Sequence, residues 1–166
     1  VITTNSYALV PFHIGENRFK KQGKRLAGTA GRMARAAVNE TGIQVRVAGA
    51  IPPLFGSYRA ELFRSDRVDE LATPLIEGLC PHVDIWLCET QSLIEEPVRI
   101  KALIDRLKIP PKPFWVAFTV DDSTDNPEPL LRSGQPVYEA VEAMAGIHVD
   151  AILFNCSQPE SIGQSV

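Results

Sequence analysis

Several things are scarce in this chain, and each scarcity narrows what it can be. Of its 166 residues only three are cysteine and three histidine. Cys80, Cys88 and Cys156 are too few and too scattered for a disulfide framework, which points to a reducing, cytoplasmic setting. The histidines His13, His82 and His148 form no metal-ligand spacing, and no Cys-x-x-Cys motif is present. No apolar run approaches the roughly 20 residues of a membrane helix, and no basic n-region opens the chain, so neither a membrane span nor a signal peptide is expected. Basic runs that could follow a phosphate backbone are missing as well, and the net charge is only −3, so nucleic acid is not an expected partner. No Gly-x-Gly-x-x-Gly or P-loop pattern follows any apolar segment, which argues against nucleotide-binding sheets.

What remains is an ordinary globular balance, 45% hydrophobic and 22% charged, in enough chain for a single domain over 1–166. Five short apolar segments recur: Val1 to Thr4, Val45 to Ala50, Asp84 to Cys88, Phe114 to Val120 and Ala151 to Phe154. Their near-continuous apolar character predicts strands buried on both faces of a parallel sheet. Helical spacing fills the gaps. Leu26, Ala30, Met33, Ala34, Ala37 and Val38 share one face of a helix that Gly42 terminates. Ser65 or Asp66 is expected to cap the next helix, which Pro74 should kink or split. Ser92 with Glu95 reads as a capping box, and a fourth helix spans Pro136 to Ala145. Strand and helix alternate every 30 to 45 residues or so, the mark of βαβ units. Five such units suit either a small doubly wound sheet or most of an eight-stranded barrel. The chain opens without Met in a β-type run and stops just inside a new helix, so it is expected to be incomplete at both ends.

Polar residues stand where the predicted strands end: Asn5, Glu89, Thr119 with Asp121, and Asn155 with Cys156. In either architecture that rim is where ligands bind. Cys156, ahead of Pro159 and Glu160, has three readings: metal ligand, nucleophile near a helix start, or packing residue. Glu89 is either a site carboxylate or a helix-dipole partner. Strand alternation sets Leu87 and Glu89 on one face and Trp86 and Cys88 on the other. Gly49 admits either close ligand approach or tight packing. Cys80, beside Pro81, is expected to be structural.

Taken in order, Ile2-Thr3-Thr4-Asn5-Ser6-Tyr7, Val47-Ala48-Gly49-Ala50-Ile51-Pro52-Pro53 through Gly56-Ser57-Tyr58, Cys88-Glu89-Thr90, Ala117-Phe118-Thr119-Val120 and Asn155-Cys156-Ser157-Gln158-Pro159-Glu160 resemble the successive strand-end motifs of the homocysteine S-methyltransferases. The resemblance implies a (β/α)8 TIM barrel, seen here as a partial barrel of five βα units from its second strand onward. It implies methyl transfer from S-methylmethionine or S-adenosylmethionine to homocysteine, giving methionine. It implies a zinc held by three cysteines, with Cys156 as the first. The other two form an adjacent pair that this stretch does not contain, and Cys80 and Cys88 do not match them. By the same resemblance Glu89 pairs with the amino group of homocysteine, and Asn5 and Tyr7 line the rim near substrate or donor. Thr119 and Asn155 supply further polar contacts. Two alternatives stand beside it: a non-catalytic flavodoxin-like binding module, and another barrel enzyme using Glu89 as general acid or base.

Overall fold

The computed structural model describes residues 1–123 and 128–166. Its five strands are β1 (Ile2–Thr3), β2 (Val47–Ile51), β3 (Ile85–Gln91), β4 (Phe114–Phe118) and β5 (Ala151–Phe154). All pair in parallel, in the order β1-β2-β3-β4-β5. The helices are α1 (Pro11–Ile14), α2 (Glu16–Thr41), α3 (Val68–Leu79), α4 (Glu95–Arg106), α5 (Val137–Gly146) and α6 (Pro159–Ser165). This order rejects the flavodoxin-like alternative. A doubly wound sheet reverses strand order at a switch point, whereas right-handed crossovers taken in unbroken sequence put every helix on one face. The fold is α/β, an arc of barrel wall.

Side-chain alternation follows the wall. Val47, Ile51, Trp86, Cys88, Phe114, Val116 and Phe118 join the main core with the helices. Ala48, Ile85, Leu87 and Ala117, with Trp115 against them, form a separate cluster on the inner face. Cys88 therefore packs outward, as alternation required. Gly49 also faces outward: a Cβ there would meet both Val83 methyls at 3.2 Å and Trp86 at 3.4 Å, so it serves packing and not ligand approach.

The amino ends of the strands are fastened by a repeated device. His82-Val83-Asp84 precedes β3 and His148-Val149-Asp150 precedes β5. Asp84 accepts the Val47 N–H at 2.8 Å, and Asp150 accepts the Phe114 N–H at 2.7 Å. Each aspartate thus pins the first residue of the neighbouring strand and helps set its register.

Three local expectations need correction. Pro74 does not split α3, which runs unbroken from Val68 to Leu79. The carbonyl deprived of its donor belongs to Glu70, an exposed residue that water can reach. Ser65 and Asp66 lie in a 3₁₀ turn ahead of α3 and give no side-chain cap, while Ser92 is buried before α4 with its hydroxyl unpartnered. α2 does end at left-handed Gly42, but Met33 is 69% exposed and the buried face is Phe19, Gly23, Ala27, Gly28, Ala30 and Gly31. Small residues are needed there because α2 crosses α3 at backbone contact. A Cβ on Gly78 would run into the Lys24 carbonyl oxygen and stand 2.9 Å from Ala27 Cβ. Gly78→Ala should accordingly cost about 3 kcal/mol, the upper range for overpacking, read as a lowered urea midpoint.

Candidate functional site

Among the described residues, four other than glycine have left-handed backbone: Tyr58 (φ 63°), Thr90 (58°), His148 (56°) and Cys156 (54°). Three of them meet at the carboxyl rim. Such conformations cost on the order of 1–3 kcal/mol each, and for β-branched Thr90 the geometry is a true outlier. Strain gathered in one place, and held there by surrounding bonds, marks the site.

Each of the three has a local cause. β3 carries an irregularity between Cys88 and Gln91, where the register against β4 shifts. Thr90 sits in that bulge and turns its hydroxyl toward β5. It accepts a hydrogen bond from Asn155 Nδ2 at 3.1 Å and lies 3.9 Å from Cys156 Sγ. Cys156 follows the end of β5, and its left-handed turn directs its carbonyl toward β4. That oxygen accepts from Thr119 Oγ1 at 3.3 Å and from Arg132 Nη2 at 3.2 Å. Tyr58 stands in the β2–α3 loop, with its ring centroid 4.8 Å from the Arg132 guanidinium carbon. Burial, then the neighbouring Cys156 thiol, push the Tyr58 hydroxyl above its ordinary pKa.

Arg132 ties this group to the start of α6. Its Nε donates to Thr119 Oγ1 at 2.9 Å and its Nη2 to Asp122 Oδ2 at 2.7 Å. Asp122 Oδ1 in turn accepts the Gln158 N–H at 2.7 Å, just before Pro159. That bond, followed by the Arg132 charge, holds the Asp122 carboxyl below its usual range.

Glu89 is half-buried beside Thr90, and its carboxylate has no hydrogen bond or ion pair among the described residues, although its backbone carbonyl accepts from Gln91 Nε2 at 3.2 Å. Burial raises its carboxyl pKa. An unpartnered acid at a strand's carboxyl end is ready for a cationic ligand group. Asn155 Oδ1 and the fully buried Gln91 Oε1 are further acceptors without partners.

Of the residues singled out by sequence, the structure brings Cys156, Asn155 and Thr119 into one bonded group, with Glu89 adjoining it through Thr90. Tyr7 reaches that group indirectly, sharing a 2.7 Å hydrogen bond with Ser57, the neighbour of Tyr58. Asn5 is exposed beyond β1 and makes no hydrogen bond to any of them among the described residues. Its neighbours are the structural ones: Ser6 Oγ donates to the Ala50 carbonyl at 2.6 Å, and Thr4 Oγ1 accepts the Ala50 N–H at 3.0 Å. Sequence reading passed over Tyr58, Thr90 and Arg132 as site residues. Thr90 and Tyr58 lay within quoted motifs. For Arg132 the available signal was the long connection between β4 and α5, a length that functional loops favour.

No three His, Cys, Asp or Glu side chains converge to hold a metal among the described residues. Cys88 is buried on the helix side and Cys80 lies in the turn after α3, so neither joins Cys156. The rim can offer a metal one thiolate, from Cys156, and the described residues do not complete a site.

Beneath the rim, Glu96 is 3% exposed and accepts the Leu54 N–H at 2.6 Å, anchoring the loop that leads to Ser57 and Tyr58. Burial raises its pKa to about 7, partly offset by the Leu54 bond. The folded value lies above the unfolded 4.5. Stability from this group is therefore full below pH 4.5 and is lost as pH rises to about 7, some ~3 kcal/mol across that window. Glu96→Gln keeps the acceptor and should flatten that pH dependence in urea unfolding.

Similarity to known proteins accords with this geometry. The sequence model of the family described as homocysteine S-methyltransferase matches residues 1–166. Among solved structures, the homocysteine methyltransferase MmuM from Escherichia coli is similar at 25% identity in three forms. The metallated form has a TM-score of 0.74, covering 96% of this chain and 58% of that one. The oxidized form has 0.73, covering 93% and 56%, and the apo form 0.67, covering 96% and 57%. This chain thus spans less than two thirds of the length of those relatives. No curated protein sequence matches it.

Proposed function

This chain belongs to the homocysteine S-methyltransferase family, and from that premise we propose that it carries the homocysteine-binding rim of an enzyme that methylates homocysteine to methionine. The methyl donor in this reading is S-methylmethionine or S-adenosylmethionine. The homocysteine sulfur gives up its proton to solvent and, as thiolate, attacks the methyl carbon. The new S–C bond forms as the donor's sulfonium–methyl bond breaks, and the donor leaves as a neutral thioether. The observation that carries the reading is the strained group at the rim, where Cys156, Thr90 and Tyr58 converge beside an unpartnered Glu89.

In this proposal Glu89 takes the ammonium of homocysteine, where a half-buried carboxylate without a partner gains most from a cation. Thr119 and Asn155 hold the rim and face the substrate's polar groups, while Asn5 and Tyr7 line its far side near substrate or donor. An aromatic face suits a methylated cation, which favours Tyr7 for the donor side. Cys156 would give one thiolate to a zinc, and the metallated form of the similar MmuM supports a metal in this family. Zinc, when bound, favours the thiolate form of a ligating thiol near neutral pH. No ligand beyond Cys156 lies among the described residues, so everything else proposed here rests on the chain's own side chains. The three free thiols suit a cytoplasmic setting, and no described helix is long and apolar enough to cross a membrane.

A second reading, in which Glu89 acts as general acid or base on another small substrate, draws on its burial-raised carboxyl. The two diverge on metal. In the full-length polypeptide, elemental analysis should give zinc that Cys156→Ala loses, and methionine should form from homocysteine and S-methylmethionine or S-adenosylmethionine. Glu89→Gln should lower kcat/KM for homocysteine about 100-fold by removing a buried charge pair. A reduced, zinc-supplied protein that makes no methionine from either donor sinks the proposal. Turnover of another substrate that survives Cys156→Ala would favour the second reading.

A further inference from the structure

Arg132 touches every strained part of the rim except Thr90, and nothing in the methyl-transfer reading requires it. Its guanidinium donates to Thr119 Oγ1 at 2.9 Å, to Asp122 Oδ2 at 2.7 Å and to the Cys156 carbonyl at 3.2 Å. It also covers one face of the Tyr58 ring at 4.8 Å. The side chain is only 27% exposed, so these contacts are partly shielded from water. Each serves a different element. Thr119 ends β4, the Cys156 carbonyl belongs to the turn after β5, Asp122 holds the N–H before α6, and Tyr58 is on the β2–α3 loop.

A left-handed cysteine keeps its conformation only if its surroundings over-determine it. The Cys156 carbonyl has two donors, Thr119 and Arg132, and Thr119 is itself oriented by Arg132. Tyr58 is left-handed too, and the Arg132 guanidinium over its ring holds that ring at the rim. One planar fork with several donors can serve all these positions at once, which an ammonium cannot.

We propose that Arg132 is a positioning residue: it locks the left-handed turn at Cys156 and fixes the Tyr58 ring at the same rim, so that the rim is set before substrate arrives. It touches the backbone and its neighbours and not the reacting atoms. The kinetic arm of the test rests on the methyl-transfer reading, and the chemical arm does not.

The experiment compares wild-type, Arg132→Met and Arg132→Lys full-length protein, each checked for native thermal unfolding. Two quantities are read: kcat and KM for homocysteine, and the rate at which iodoacetamide alkylates Cys156 in reduced, chelator-treated protein, followed by peptide mass. With the clamp gone, Arg132→Met should alkylate Cys156 several-fold faster, as the turn that keeps its thiol beside Thr90 loosens. Its kcat should fall about 100-fold, the scale of an ångström misplacement, with KM changed far less. Arg132→Lys should lie between, since one ammonium replaces only part of the fork. If Arg132→Met does not fold, Arg132→Lys carries the test by the same two readouts. A folded variant with Cys156 alkylated at the wild-type rate overturns the proposal, even if kcat falls, because Arg132 would then act on substrate. Faster alkylation in a protein whose wild type makes no methionine leaves the clamp standing and removes the methyl-transfer reading instead.

Discussion

Parallel pairing in unbroken sequential order is the constraint from which the rest follows. With β1 to β5 side by side in chain order, each right-handed crossover lands its helix on the same side of the sheet. One face is then committed to a large apolar core, and the other is left as a small inner cluster around Leu87 and Ala117. The same order sends every strand's carboxyl end to one rim. Residues as distant in sequence as Tyr58, Thr90, Thr119 and Cys156 become neighbours for that reason alone. The two ends of the strands are then used differently. At the amino ends Asp84 and Asp150 bond backbone and fix register, and at the carboxyl ends side chains bond one another and leave acceptors free.

Conformational strain is concentrated at the rim, and the bonds that hold it there also aim the side chains. The bulge at Thr90 interrupts β3 at the place where Glu89 would otherwise lie in a regular strand. The turn at Cys156 brings its sulfur near Thr90 and its carbonyl to Thr119 and Arg132. Removing Arg132 or Thr119 would leave that carbonyl short of a donor, and the turn would have less reason to stay left-handed. A rigid rim of this kind loses little conformational freedom on binding, which is what preorganised sites require.

Much of this was readable from residue order. The apolar runs marked all five strands, with no end moving by more than three residues and the fifth strand matching at both ends, because hydrophobic continuity reports burial on both faces directly. Alternation placed Cys88 outward and Leu87 inward correctly. The helix details read less well, each for a physical reason. Ser65 and Ser92 look like caps, but a 3₁₀ turn and a buried loop occupy those places, and capping depends on entry geometry that spacing does not encode. Spacing puts Met33 on the shared face of α2 because it is apolar, yet α2 meets α3 through Gly28 against Gly78, a closeness that selects for missing side chains. At the rim, Asn155, Cys156, Thr119 and Glu89 were legible as strand-end residues. Arg132 was not, because it reaches its partners from a loop whose path only the folded chain defines. Asn5 kept its place beyond β1 but gained no bonded role.

The central claim is that homocysteine binds at this rim, between Cys156 and Glu89. A crystal structure of the full-length polypeptide with homocysteine tests it directly. The account predicts the ligand's sulfur on the Cys156 side and its ammonium on the Glu89 carboxylate, with Tyr58 and Arg132 still stacked. Homocysteine seated elsewhere, or with its ammonium turned away from Glu89, would contradict it.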